Sequence, residues 1–170
     1  MDWREEPIGR HHDRKSFDCG VGELNEYLER FARQNHESGG AKTFVAVLPS
    51  NPARVIGFYS ISPGDIEFAR VPAMLTKKLG RYDVPVFRLG RLATDRSVQG
   101  QGLGGELLVA ASKRALAVSA EVGGVALAID AKDDKVARWY ERFGAVALLD
   151  DPLKLVLPLA VTTAAGKRLG

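Results

Sequence analysis

Four glycines crowd into the seven residues Gln99-Gly100-Gln101-Gly102-Leu103-Gly104-Gly105, between an apolar strand-like segment and a helical one. Glycine lacks a Cβ and reaches positive φ freely, so this run can turn several backbone N–H groups into one concavity. The positive dipole end of the following helix adds to them, and a place of that kind binds phosphate. Three readings of the glycines stay open at this point. Gln99-x-x-Gly102-x-Gly104 suits a pyrophosphate loop. Gly100-x-Gly102-x-x-Gly105 also fits the dinucleotide fingerprint, with Asp130 lying about where a ribose-binding acid would fall, roughly 20 residues on. A glycine-rich turn without a ligand is the third. Against the dinucleotide reading, Asp95 to Gln99 separate the strand's end from the first glycine, whereas a dinucleotide turn is tight. The motif also sits mid-chain, which leaves too little sequence for a full doubly wound sheet. A P-loop is excluded, because no Gly-Lys-Ser/Thr follows.

Around this centre, strand-like and helical segments alternate, as in an α/β chain. An extended start leads through a turn at Ser16–Gly20 into a helix from about Val21 to Gln34, with Leu24, Tyr27, Leu28 and Phe31 at helical spacing. Thr43–Leu48 and Val55–Ile61 read as an antiparallel strand pair about a turn at Pro49–Pro52. Pro72 opens a short helix over Ala73–Leu79. Val86–Thr94 reads as a strand, Leu103–Ala120 as a helix, Val125–Ile129 as a buried strand and Asp133–Phe143 as a helix. Ala145–Leu149 and Leu153–Leu157 close the pattern as two strands. Residues 161–170 read as a flexible tail after one domain over residues 4–160.

Composition narrows the partners. At 170 residues, 45% hydrophobic, the chain suits one domain with a proper core. No apolar stretch is long enough to span a bilayer and no targeting segment is visible, so no membrane association and a cytoplasmic address are expected. Cys19 is the one cysteine, which excludes an intrachain disulfide. His11, His12, Cys19 and His36 lack metal-ligand spacing, so no metal is expected, and the histidines read as solvated. The net charge of +3 permits an anionic partner without requiring one.

The loop pattern resembles the pyrophosphate signature of the GCN5-related N-acetyltransferase (GNAT) family. The likeness extends over nearly the whole chain. His12-Asp13-Arg14, Phe17-Asp18-Cys19-Gly20, Leu24-Asn25-x-Tyr27-Leu28, Val55-Ile56-Gly57-Phe58-Tyr59, Leu89-Gly90-Arg91-Leu92-Ala93, Asp130-Ala131-Lys132-Asp133 and Trp139-Tyr140-Glu141-Arg142-Phe143-Gly144 together resemble the acetyltransferase toxins of bacterial toxin–antitoxin pairs. That resemblance implies a mixed, mostly antiparallel sheet with splayed central strands and helices on both faces. It implies acetyl-CoA as cosubstrate and the α-amine of aminoacyl-tRNA as acceptor, with translation blocked as the outcome. It also implies a ribbon-helix-helix antitoxin that represses the operon with the toxin, and a homodimer.

Residue roles follow from the same resemblance. Leu92, Ala93 and Thr94 on one strand, and Asp130, Lys132 and Asp133 after the other, flank the pantetheine arm, with backbone N–H near Leu92 stabilising the oxyanion. Gln99, Gly100, Gln101, Gly102, Leu103, Gly104 and Gly105 hold the pyrophosphate, and Phe143 packs nearby. Tyr140 is the general acid that protonates the departing thiolate. No general base stands out, with Glu29 and Glu67 the candidates. An α-amine of pKa about 7.7–8.0 needs less help than a lysine near 10.4, which favours an α-amino acceptor. Arg30, Arg33, Lys77, Lys78, Arg88 and Arg91 are the candidate RNA contacts. A small-molecule or protein amine as acceptor, and a non-catalytic acyl-CoA-binding corepressor, are the alternatives.

Overall fold

The computed structural model describes residues 1–160, so the tail expected at 161–170 lies outside the described residues. Seven strands alternate with helices: β1 (Arg4–Pro7), β2 (Lys42–Leu48), β3 (Asn51–Ile66), β4 (Val84–Thr94), β5 (Ala126–Asp130), β6 (Val146–Leu148) and β7 (Asp151–Pro158). The α-helices are α1 (Gly22–Glu26), α2 (Ala32–Ser38), α3 (Ala73–Thr76), α4 (Leu103–Val122) and α5 (Asp134–Glu141). Two compact units emerge, Met1–Ser62 with Gly90–Leu108 and Pro63–Leu89 with Val109–Gly170. Among the described residues no helix is long and apolar enough to cross a membrane.

In the first unit, β1 pairs antiparallel with β2, and β2 with β3. The β2–β3 register shifts where Ala46 faces Gly57 and Val47 faces Val55, so Ile56 is an extra residue in β3. That bulge turns Val55 onto the same face as Phe58, where both join Val45, Val47, Phe17, Tyr27 and Leu28 in one core. Gly57 points the other way. A Cβ there would meet Leu107 at 2.9 Å and Leu103 at 3.2 Å, so the missing side chain is what lets the start of α4 lie close against the strand. Helices therefore cover both faces of the sheet in this unit.

The helix expected over residues 21–34 runs on to Ser38 and is interrupted. Between α1 and α2, Tyr27–Phe31 form a π-helical turn. A π-turn frees a carbonyl from the ordinary helical ladder, and Arg14 Nη1 donates to the Glu29 carbonyl at 3.0 Å. The segment ends at Gly39, whose φ of 84° is a left-handed cap.

In the second unit, β4 and β5 run parallel, with Phe87, Arg88 and Leu89 opposite Leu127, Ala128 and Ile129. β5 pairs antiparallel with β7, and β7 with β6. The sheet is thus mostly antiparallel, with a parallel step between β4 and β5, which α4 connects. Ile66, Val71, Val84, Val86, Ala126, Ala128, Leu148 and Val156 form the core of this unit.

Candidate active site

The first unit carries the glycine loop. At the end of β4 the chain turns on Asp95, which the sequence marked only as the start of the stretch before the first glycine. Asp95 is 8% exposed, and its carboxylate accepts from the Asp18 amide at 2.9 Å, the Ser97 amide at 3.0 Å and the Ser97 hydroxyl at 2.7 Å. Burial alone would raise its pKa, but the bonds from Asp18 and Ser97 outweigh it and hold the carboxyl below its usual value. The same corner is stitched by the Asp95 amide to the Ile56 carbonyl and the Arg96 amide to the Asp18 carbonyl, at 2.9 and 2.8 Å. Asp95→Ala would leave buried donors without an acceptor. The expected loss is roughly 2–3 kcal/mol of folding stability, read by chemical denaturation; an unchanged midpoint would refute this role for the carboxylate.

Gln99 braces the loop. Its Nε2 donates to the carbonyls of Cys19 at 3.0 Å and Thr94 at 2.9 Å, so its side-chain nitrogen is engaged with backbone. Gly100 and Gly102 have φ of 81° and 87°, and a Cβ on either would meet nothing within 4 Å. Backbone conformation demands glycine at these positions, and the space before them is open. α4 then begins at Leu103. Its first intrahelical bond runs from the Glu106 amide to the Gly102 carbonyl at 3.2 Å, so the amides of Leu103, Gly104 and Gly105 have no carbonyl to reach within the helix. Leu103 is 1% exposed and anchors the turn by its side chain. This donor set fits a diphosphate. Glu106, a negative group in the first turn, accepts from Trp3 Nε1 at 2.7 Å.

In the second unit, β5 ends at Asp130, whose exposed side chain lines a small cavity with Arg88 and Lys154. Lys132 is exposed. Asp133 caps α5, accepting from the Val136 amide at 2.9 Å. α5 buries Ala137 and Tyr140. The Tyr140 ring stands edge-on to Trp139, with centroids 4.9 Å apart, and Trp139 also packs against Phe143. Burial pushes the Tyr140 phenol up to about 12. An ordinary phenol lies near 10, so this one keeps its proton throughout the neutral range and parts with it less readily than an exposed tyrosine.

The basic candidates separate by partner. Arg30 pairs with Glu26 at 3.7 Å and Arg33 with Glu37 at 2.9 Å, which offsets their charge. Arg91 lies over the Tyr27 ring, 3.5 Å from its centroid. Lys77 and Lys78 are exposed after α3. Arg88 donates from Nη2 to the Asp65 carbonyl at 3.2 Å.

Of the histidines expected to be solvated, His12 is buried and His36 is only partly exposed. His12 is 3% exposed. The Gly9 amide donates to its Nδ1 at 2.9 Å, which places the proton of the neutral ring on Nε2, 2.9 Å from Glu6 Oε1. His11 Nε2 lies 3.2 Å from the same oxygen. Glu6, His11 and His12 thus bring three ligand atoms within 4.8 Å of one another, a grouping that could hold a metal ion although their sequence spacing did not suggest one. His36 accepts from the Thr43 amide through Nδ1 at 2.9 Å. Neither His12 nor His36 stands ready as a base.

Burial lowers the pKa of both imidazoles, with the Lys42 charge a further cause at His36. Below about 6.5, therefore, the unfolded chain takes up protons that the folded chain resists, and stability falls as the pH drops. Glu6, held at about 2 chiefly by its bond from His12, adds a second loss as the pH falls below its ordinary value. Thermal midpoints should be level between about pH 7 and 8 and decline towards pH 5. A level midpoint down to pH 5 would contradict the placement of His12 and His36.

Residues 8–145 match the family described as the acetyltransferase (GNAT) family. The chain is 35% identical over 145 residues to a protein of Mycobacterium tuberculosis named tRNA-acetylating toxin, covering 85% of each. Among solved structures, it superposes on AtaT complexed with acetyl-methionyl-tRNAfMet with a TM-score of 0.87 and 27% identity, covering 99% of both chains. A tyrosine-to-phenylalanine mutant of AtaT bound to the C-terminus of the antitoxin AtaR matches with a TM-score of 0.81 and 26% identity, over 99% of this chain and 98% of that one.

Proposed function

This chain belongs to the GNAT acetyltransferase family and is an acyl-CoA-dependent N-acetyltransferase, and we propose that it is a toxin that acetylates the α-amine of aminoacyl-tRNA and so blocks translation. The observation that carries this reading is the 35% identity with a tRNA-acetylating toxin across most of both chains. Residue chemistry supports it. An α-amine is roughly 10% neutral or more at pH 7, whereas a lysine amine is almost wholly charged, so the former suits a protein whose His12 and His36 imidazoles are engaged elsewhere.

In this reading the amides of Leu103, Gly104 and Gly105 hold the diphosphate of the coenzyme, with Gly100, Gln101 and Gly102 shaping the turn that presents them. Leu92, Ala93 and Thr94 offer strand backbone to the pantetheine arm, and Asp130, Lys132, Asp133 and Phe143 border it. Acetyl-CoA supplies an activated acetyl thioester. Tyr140 holds a proton at its phenol oxygen for the leaving sulfur, and its raised pKa favours hydrogen bonding to the developing charge, with full transfer following later. Arg91, Lys77, Lys78 and Arg88 meet RNA phosphates, with Arg30 and Arg33 contributing less because Glu26 and Glu37 pair with them. A ribbon-helix-helix antitoxin and a homodimer complete the assembly.

The test is acceptor choice in a purified system. Charged tRNA, the same tRNA deacylated, a polyamine and a peptide N-terminus are offered with acetyl-CoA. Transfer to charged tRNA alone supports the reading; equal or better transfer to the polyamine or peptide sinks it.

A further inference from the structure

We propose that Arg70, Arg88 and Lys154 form a subsite for a phosphodiester near the acceptor end of tRNA, a deeper reading that rests on the function proposed above. A cavity of about 60 Å³ opens in the second unit, with Ile66, Leu148 and Leu155 in its wall beside these three cations and Asp130. That space has room for a compact charged group. With Arg70 paired to Asp150, Arg88 and Lys154 face the single acid Asp130, so the wall keeps a net positive charge and favours a negative ligand.

The two guanidiniums are held in place by protein groups that leave donors over. Arg70 turns its Nε onto the Asp150 carboxylate, at 3.1 and 2.9 Å from the two oxygens. Arg88 gives Nη2 to the Asp65 carbonyl. Its stem lies in a slot that exists because residue 64 is glycine: a Cβ there would sit 2.7 Å from Arg88 Nε and 3.0 Å from Cγ. Gly64 has an ordinary φ, so the slot, not backbone strain, is what glycine provides. An arginine offers five N–H donors, and a planar fork fixed from behind is preorganised for phosphate oxygens in front. Lys154 stands across the cross-strand pair from Asp130 and adds a point charge.

This arrangement is distinct from the glycine loop, which binds through backbone amides. It accounts for two cations, Arg70 and Lys154, that no motif singled out. Gly64 is a positioning residue, acting through Arg88.

The experiment compares the full-length chain with Lys154→Gln, Arg88→Gln and Gly64→Ala. Binding of bulk tRNA is measured across a salt series, and KM and kcat are measured for charged tRNA, for aminoacyl-adenosine, which lacks a phosphodiester, and for acetyl-CoA. Each variant is expected to weaken tRNA binding and raise KM for charged tRNA about 5–10-fold, with the salt slope reduced by about 1. Constants for aminoacyl-adenosine and acetyl-CoA should stay unchanged. Gly64→Ala should reproduce Arg88→Gln although it removes no charge, a result that a merely structural role would not give. Wild-type affinity and salt slope in all three variants would overturn the proposal, as would a rise in KM for acetyl-CoA, which would assign the cavity to the coenzyme. If the wild-type chain leaves charged tRNA unmodified, the functional reading fails first and this subsite falls with it.

Discussion

Tyr140→Phe is expected to lower kcat by about 10²–10³-fold while leaving KM for acetyl-CoA and the thermal midpoint nearly unchanged. The ring is what packs against Trp139 and fills the buried side of α5, and phenylalanine keeps it. Only the hydroxyl is lost. The raised phenol also fixes the pH profile. With a pKa of about 12, Tyr140 stays protonated far above neutrality, so kcat/KM should climb with deprotonation of the acceptor amine near 8 and hold level to about pH 10. A mutant with more than a tenth of wild-type kcat would remove the phenol from the chemistry. An alkaline fall below pH 9 would mean that a different acid is titrating.

Gly102→Val is expected to weaken acetyl-CoA binding by about 100-fold or more, measured by calorimetry on folded protein. A β-branched residue at a φ of 87° is strained by about 1–2 kcal/mol, and its methyl groups would fill the open space before the first amides of α4. Strain and obstruction can be separated. Gly39 has a φ of 84° and equally open surroundings, but it caps α2 far along the chain. Gly39→Val should cost similar stability and leave coenzyme affinity intact. Equal affinity losses in the two variants would show that unfolding, rather than a blocked donor cradle, explains the first.

The conformation of the glycine loop was legible because it is local. Donors at a helix start need only a short run of residues, and Gly100 and Gly102 adopt the positive φ that their sequence suggested. Most element boundaries also lay within a few residues of the pattern, since apolar spacing carries them. What the sequence hid depends on partners distant along the chain. Asp95 looks like an ordinary turn residue, because its donor from Asp18 comes from 77 positions away; the Asp-x-Ser spacing announced only its bonds to Ser97. His12 beside His11 reads as polar surface until β1 brings Glu6 against it. β3 reaches Ile66, well past the apolar run that marked it, because its later residues are exposed or small. The π-turn at Tyr27–Phe31 left no trace, as its apolar residues fit an ordinary helix equally well.

One measurement bears on acetylation of charged tRNA more directly than any other. Bulk aminoacyl-tRNA is incubated with the purified chain and acetyl-CoA, digested to its terminal adenosines and analysed by mass spectrometry. The account expects N-acetylated aminoacyl-adenosine from at least one isoacceptor, dependent on Tyr140. Unmodified aminoacyl ends across every isoacceptor, from protein that binds acetyl-CoA, would contradict it.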